Sequence, residues 1–238
     1  MGKPKVRLDT FAPTVGADVK RTAIPSKGSV GSRTWDQSTS TRRPINKAKG
    51  SNSKLIGTIT TLYFDGGDYL ALSSAEEFNY NEAWMWVFAF VDLDTSADRI
   101  LTYSSNSGGY IGIESGGAGI VYRPNSSKAS EITIATNNTN NSSISYTFGT
   151  DVEVLILSKP ASSNALSFYN IDGDLIAADS SAGNGQTFNL DRIGDRNDVN
   201  VAFVGQIIDA KFYNGSDCPP TTTASLQAIG NNYKQLKD

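Results

Sequence analysis

An all-β sandwich is the fold this sequence predicts, and three observations carry the prediction. From Leu55 onward, short runs rich in Val, Ile, Thr, Tyr, Phe and Trp alternate with clusters of Gly, Asn, Ser and Asp, the spacing of strands and turns in a two-sheet protein. Charged residues make up only 19% of the chain, against 38% hydrophobic and 10% aromatic, a balance that favours strands over long solvent-facing helices. No alternation of strand and helix patterns is present, which argues against a parallel α/β architecture. The 238 residues suffice for one large β domain or two ordinary ones.

The first 54 residues stand apart from the rest. They carry 12 Lys and Arg against three Asp, a net of +9, whereas residues 55–238 carry nine basic and 21 acidic residues, a net of −12. This division reads as a basic arm (1–54) on an acidic domain (55–238). Phe11 and Trp35 are the arm's only aromatics, so it has too little apolar surface to order itself. Pro4, Pro13, Pro25 and Pro44 hold it extended. Leu8, Phe11, Val15, Ile24, Val30, Trp35 and Ile45 are spaced as pegs for docking on a partner surface. Arg42, Arg43, Lys47 and Lys49 form its dense basic patch, with no stacking aromatics among them, which makes nucleic acid the weaker partner.

Within the body, strands are expected at 56–64, 69–71, 83–92, 100–103, 110–114, 119–122, 131–136, 143–148, 152–158, 165–171, 174–178, 191–193 and 207–213. Asp172-Gly173 suits a type I′ hairpin turn, and the glycine-rich segment 115–119 separates another strand pair. In the run 84–91, Trp84, Trp86, Phe88 and Phe90 fall on one face of a strand, and Met85, Val87, Ala89 and Val91 on the other. A strand apolar on both faces is central, with its second face covered by a loop, the arm or another subunit, and aromatic sugar binding is the alternative. Leu226, Ile229, Tyr233 and Leu236 recur at helical spacing and predict a short C-terminal helix.

Several chemistries are missing. The chain has no histidine, and Cys218 is its single cysteine, which excludes a Ser–His–Asp triad, a Cys–His pair and a disulfide framework within one chain. The longest apolar run, 83–91, is too short to span a membrane, and the basic N-terminus leads into no apolar segment of the kind that directs export. The sequence reads as a soluble protein.

Three stretches resemble the concanavalin-A-like lectin/glucanase fold, especially its laminin-G-like branch. These are Leu62-Tyr63-Phe64-Asp65-Gly66-Gly67-Asp68-Tyr69-Leu70, the hairpin from Leu166 to Ile176, and Ile193-Gly194 followed by the strand from Phe203 to Tyr213. Their order and spacing over residues 62–213 carry the resemblance. It implies a jelly-roll of two stacked antiparallel sheets. The glucanase branch carries an E-x-D-x-x-E strand, and none of Glu76, Glu77, Glu82, Glu114, Glu131 or Glu153 lies in that pattern, so no catalytic residue and no enzyme activity are expected. No cofactor is expected either, with calcium the one candidate. Some laminin-G-like domains hold calcium near the sheet rim, and the resemblance would place Asp65, Asp68, Asp195 and Asp198 as its oxygen ligands, although turn chemistry is the commoner reason for Asp at such positions.

A jelly-roll with a basic arm and no catalytic constellation is similar to the laminin-G-like domains on tailed-bacteriophage virions. The expected function is a capsid decoration (cement) protein, made in the host cytoplasm and resident on the virion. Phe11, Trp35, Arg42, Arg43, Lys47 and Lys49 would bind the major capsid protein or another virion protein. A homo-oligomer or an assembly-bound state is expected, with no membrane partner. The alternative is a carbohydrate-binding module, either a tail-fibre or adaptor domain touching host surface glycans or a free lectin-like protein.

Overall fold

The most apolar stretch of the chain is the strand on which the rest is laid down. In the computed structural model, which describes residues 6–9, 24–25, 34–37, 41–45, 59–66, 69–104, 108–117, 119–123, 132–135, 146–180, 187–194 and 201–234, strand β7 (Trp84–Val91) is buried at every position. It pairs antiparallel with β12 (Glu153–Lys159) on one side and β16 (Val204–Asn214) on the other. Beyond β12 lie β13 (Leu166–Tyr169) and β14 (Leu175–Asp179). On the other flank, β5 (Ile59–Asp65) pairs with the first half of β16 and β4 (Thr41–Ile45) with β5. The second half of β16 pairs with β1 (Val6–Asp9). These strands make the first sheet, in the order β14-β13-β12-β7-β16-β5-β4 with β1 alongside β16.

The second sheet contains β2 (Ile24–Pro25), β3 (Thr34–Gln37), β6 (Leu70–Phe78), β8 (Arg99–Tyr103), β9 (Tyr110–Ile113), β10 (Gly119–Arg123), β11 (Ile132–Ala135) and β15 (Phe188–Ile193), in the order β11-β10-β9-β8-β15-β6-β3-β2. Every pairing in both sheets is antiparallel. The chain is thus an all-β, two-sheet antiparallel sandwich with a short C-terminal helix, as the sequence predicts.

The period-2 reading of β7 holds. Trp84, Trp86, Phe88 and Phe90 face the core between the sheets, with Phe64, Phe168 and Phe212. The Trp86 ring lies edge-on to Phe188 at 4.8 Å, Phe78 at 4.9 Å and Phe212 at 5.3 Å, an arrangement that aligns ring edges with ring faces. Met85, Val87, Ala89 and Val91 face the opposite way, together with Ile208. Among the described residues, the chain's own helix α1 (Thr223–Lys234) covers them, together with Ile171 of the loop after β13. Leu226, Ile229 and Tyr233 are buried against this second face, and Leu236 lies outside the described residues. Tyr233 Oη donates to Asp209 Oδ2 at 2.9 Å and accepts from Lys211 Nζ at 2.7 Å. Lys234 at the end of α1 meets Asp172 at 2.9 Å.

Other expectations are corrected. Asp172-Gly173 does not form a type I′ turn, which needs positive φ at both residues. Only Gly173 has it, at φ 78°. The Asn170 side chain instead accepts from the backbone N–H of Asp172 and of Asp174, each at 2.9 Å, and so builds a longer loop that ends the strand at Tyr169. Of the expected strand 143–148, residues 143–145 lie outside the described residues and 146–148 form no strand, with Phe148 N–H donating to Gly117 O at 2.8 Å. The expected strand 69–71 extends to Phe78 and 191–193 starts at Phe188. Within residues 1–54, where the sequence predicts an extended, irregular arm, β1 to β4 pair in register with strands of the two sheets.

Candidate functional site

Helix α1 occupies the outward face of the first sheet, and the candidate site lies on the outward face of the second. Alternation along β8, β9 and β10 sorts their residues. Leu101, Ile111, Ile113, Ile120 and Tyr122 point into the core, whereas Ile100, Tyr110 and Val121 form a separate outer cluster with Tyr103 and Val201 against it. The register places Gly112 opposite both Ile100 and Val121. The space over Gly112 is closed in by the Arg99 carbonyl and the Ile100 side chain, which a Cβ there would meet at 2.8 and 3.4 Å. Beside them lies a cleft of about 310 Å³, lined by Asp98, Ile100, Tyr110, Gly112, Val121 and Arg123 among others. This is at the small end of ligand pockets, roughly 300–1,000 Å³.

One end of the cleft is basic and aromatic. Arg123 lies opposite Tyr110 in the ladder, and its guanidinium sits over the tyrosine ring, 5.8 Å from the centroid, within reach of a cation–π contact. The other end is acidic. Asp98 accepts from the Ser115 N–H at 2.9 Å, and burial, with Asp98 beside it, pushes the Glu114 carboxyl above the ordinary carboxylate value. Arg99 fixes the adjoining loop. Its Nε donates to Asp94 O at 2.7 Å, its Nη2 pairs with the Asp94 carboxylate and reaches Ser96 Oγ at 3.2 Å, and it is almost fully buried. A buried guanidinium with that many partners holds the cleft wall in one conformation. Ile100, Tyr110 and Val121 are nearly buried beneath the cleft, and its open lining, mainly polar, suits a ligand rich in hydroxyls.

The site residues expected from the sequence lie elsewhere. Phe11, Lys47, Lys49, Asp68, Asp195 and Asp198 lie outside the described residues. Trp35 in β3, Arg42 and Arg43 in β4, and Asp65 at the end of β5 have strand backbones, but their side chains lie outside the description. Among the described residues, no three His, Cys, Asp or Glu side chains are grouped to hold a metal ion. Among them, too, no helix is long and apolar enough to cross a membrane. Asp98, Tyr110 and Arg123 were not singled out by the sequence. The signal available is the Tyr-x-Gly alternation at 110–112, which puts a tyrosine and a glycine on one face.

No family model matches the chain, and no curated protein matches it either. Solved structures are similar to it in fold. Domain 4 of AbnA, a GH43 extracellular arabinanase from Geobacillus stearothermophilus, solved in complex with arabinotriose, superposes with a TM-score of 0.54 at 11% identity, over 96% of this chain and 98% of that one. The binding domain of botulinum neurotoxin serotype D/C VPI 5993 gives 0.53 at 12% identity, over 97% of this chain and 52% of that one. The serotype D binding domain gives 0.52 at 12%, again over 97% and 52%, so this chain spans about half the length of the toxin domains it resembles. At such identities the likeness is one of fold, and it agrees with the strand order above: the chain is a two-sheet antiparallel β-sandwich of the jelly-roll kind.

Proposed function

We propose that this protein is a non-catalytic carbohydrate-binding module that takes a glycan on the outward face of its second sheet. The observation that carries the reading is the cleft in which Tyr110 and Arg123 stand at one end of an Ile100/Val121 floor and Asp98 at the other. Sugar hydroxyls meet charged hydrogen-bonding groups, which Asp98 and Arg123 supply at the two ends of the cleft, over an Ile100, Tyr110 and Val121 layer that is nearly buried. The fold likeness to an arabinanase domain solved with arabinotriose supports the same class of ligand. Decoration of a phage capsid, the leading expectation from the sequence, rests on the basic N-terminal stretch and on analogy, and the likenesses favour the carbohydrate-binding alternative over it.

The test is a glycan array followed by calorimetry with the best ligand and with arabinotriose. Tyr110→Ala and Arg123→Ala should each weaken binding by roughly tenfold or more, about 1.4 kcal/mol, with an unchanged circular dichroism spectrum. Absence of any glycan binding by the intact chain would overturn the reading. Polysaccharide hydrolysis abolished by Glu114→Gln or Asp98→Asn would overturn its non-catalytic part.

A further inference from the structure

The long strand β16 ends in Asn214, and Gly215 follows it. Asparagine before glycine is the pair most prone to lose its side-chain ammonia, because glycine has no side chain to screen its backbone nitrogen from the carboxamide. Neither residue is buried, and a Cβ at Gly215 would meet no atom within 4 Å, so nothing crowds the pair. Three features nevertheless hold it away from reaction. The Gly215 N–H donates to Ala83 O at 2.7 Å. Asn214 Nδ2 donates to Glu82 Oε2 at 3.0 Å. Asn214 also lies opposite Trp84 at the end of the β16–β7 ladder, with an extended ψ of 162°. Reaction needs the reverse of each: the glycine nitrogen stripped of its proton, the carboxamide free to swing towards it, and the Asn214 Cα–C bond turned until that nitrogen eclipses Cβ.

We propose that Asn214 is a site of spontaneous deamidation, guarded in the closed fold and reacting when the turn opens away from residues 82 and 83. In the opened state the Gly215 nitrogen attacks Asn214 Cγ, the Cγ–Nδ2 bond breaks, and ammonia departs with the proton that the glycine nitrogen gave up. The succinimide so formed takes up one water and opens to aspartate, or to isoaspartate with the chain rerouted through the side chain. No electron changes hands, and the net change is one water in and one ammonia out. The product carries a carboxylate where Glu82 now accepts a hydrogen bond, which turns an attraction into a like-charge contact. The effect reaches beyond the turn, because Cys218 hangs on the same residues: its N–H donates to Gly215 O and its Sγ to Ala83 O, each at 3.3 Å. That segment leads into α1, so the modification loosens the connection that seats the helix on the second face of β7.

Peptide mapping by mass spectrometry tests the proposal on the full chain, held folded at neutral pH and, in parallel, in concentrated urea. Asn214 should convert at least about tenfold more slowly in the folded chain, because only the locally opened fraction reacts. Glu82→Ala removes an exposed side chain, and should raise the folded-state rate by about threefold or more while near-ultraviolet circular dichroism and the rate in urea stay unchanged. Asn214→Asp, which installs the product, should lower the urea midpoint at neutral pH. Adding Glu82→Gln to it should bring the midpoint back, because a carboxamide at position 82 can donate to the new carboxylate. Equal conversion in the folded chain and in urea would overturn the proposal, since the turn would then guard nothing. So would a folded-state rate that Glu82→Ala does not move, or an Asn214→Asp chain with the midpoint of the original.

Discussion

Asp94 shows how a single partly exposed carboxylate holds a loop that the site depends on. Its Oδ1 accepts from the Ser96 N–H at 2.9 Å, and its Oδ2 faces Arg99. The Ser96 backbone bond is the chief cause that draws its pKa below 3.8, helped by the Ser96 hydroxyl and Arg99 and opposed by burial. A carboxyl that holds its proton less tightly when folded contributes stability above its unfolded value, and that contribution is lost as the pH falls through the lower folded value. With 41% of its side chain exposed, the contribution is solvent-screened and small. Asp94→Asn keeps an acceptor for Ser96 but removes the charge. Urea titrations should therefore show a constant stability gap between the two proteins from about pH 5 to 7 that narrows below about pH 3.8. A gap unchanged down to about pH 2 would show that the charge contributes nothing.

At the scale of elements, the fit of α1 on the first sheet is set by one close approach. A Cβ at Gly230 would come 1.7 Å from the Ile171 carbonyl oxygen, so the helix rests directly on the backbone of the 170–174 loop. Helix propensity alone says that Gly230→Ala should stabilise the helix by up to about 1 kcal/mol. The contact says the opposite, because the methyl must lift the helix off Met85, Val87 and Ile208, at a cost of about 1–3 kcal/mol. A destabilised urea midpoint confirms the docking, and a stabilised one refutes it. Both halves of this interface were legible in the sequence: the two-faced strand in the alternation of 84–91, the helix in the spacing of Leu226, Ile229 and Tyr233. Their meeting was not legible, because nearly 140 residues separate them and periodicity reports which face is apolar, never what lies on it. The short strands β1 to β4 are not legible in the sequence as sheet members for a related reason. A two-to-five-residue strand is held by backbone bonds to a distant partner and has no pattern of its own.

For the molecule as a whole, the same limit explains the site. Arg123 and Tyr110 belong to strands brought side by side only by register, whereas Gly112 and the strand alternation around it were readable locally. Register also changes what removal of residues 1–54 should do. β1 and β4 pair with β16 and β5, and β3 pairs with β6, with β2 beyond it. The N-terminal stretch therefore covers one flank of both sheets. Its removal leaves the core around Trp86 in place but bares the backbone of β5, of β6 and of residues 209–212 in β16, a template for pairing with another chain. The truncated body keeps a net charge of −12, and like charge keeps copies apart most strongly at low ionic strength. The truncated protein should thus retain its near-ultraviolet circular dichroism and stay monomeric in dilute buffer, yet form higher oligomers as salt is raised, while the full chain does not. A truncated protein that is monomeric at every ionic strength and as stable as the full chain would show that the strands of 1–54 contribute no cover, and would return that stretch to the role of an anchor for a separate partner.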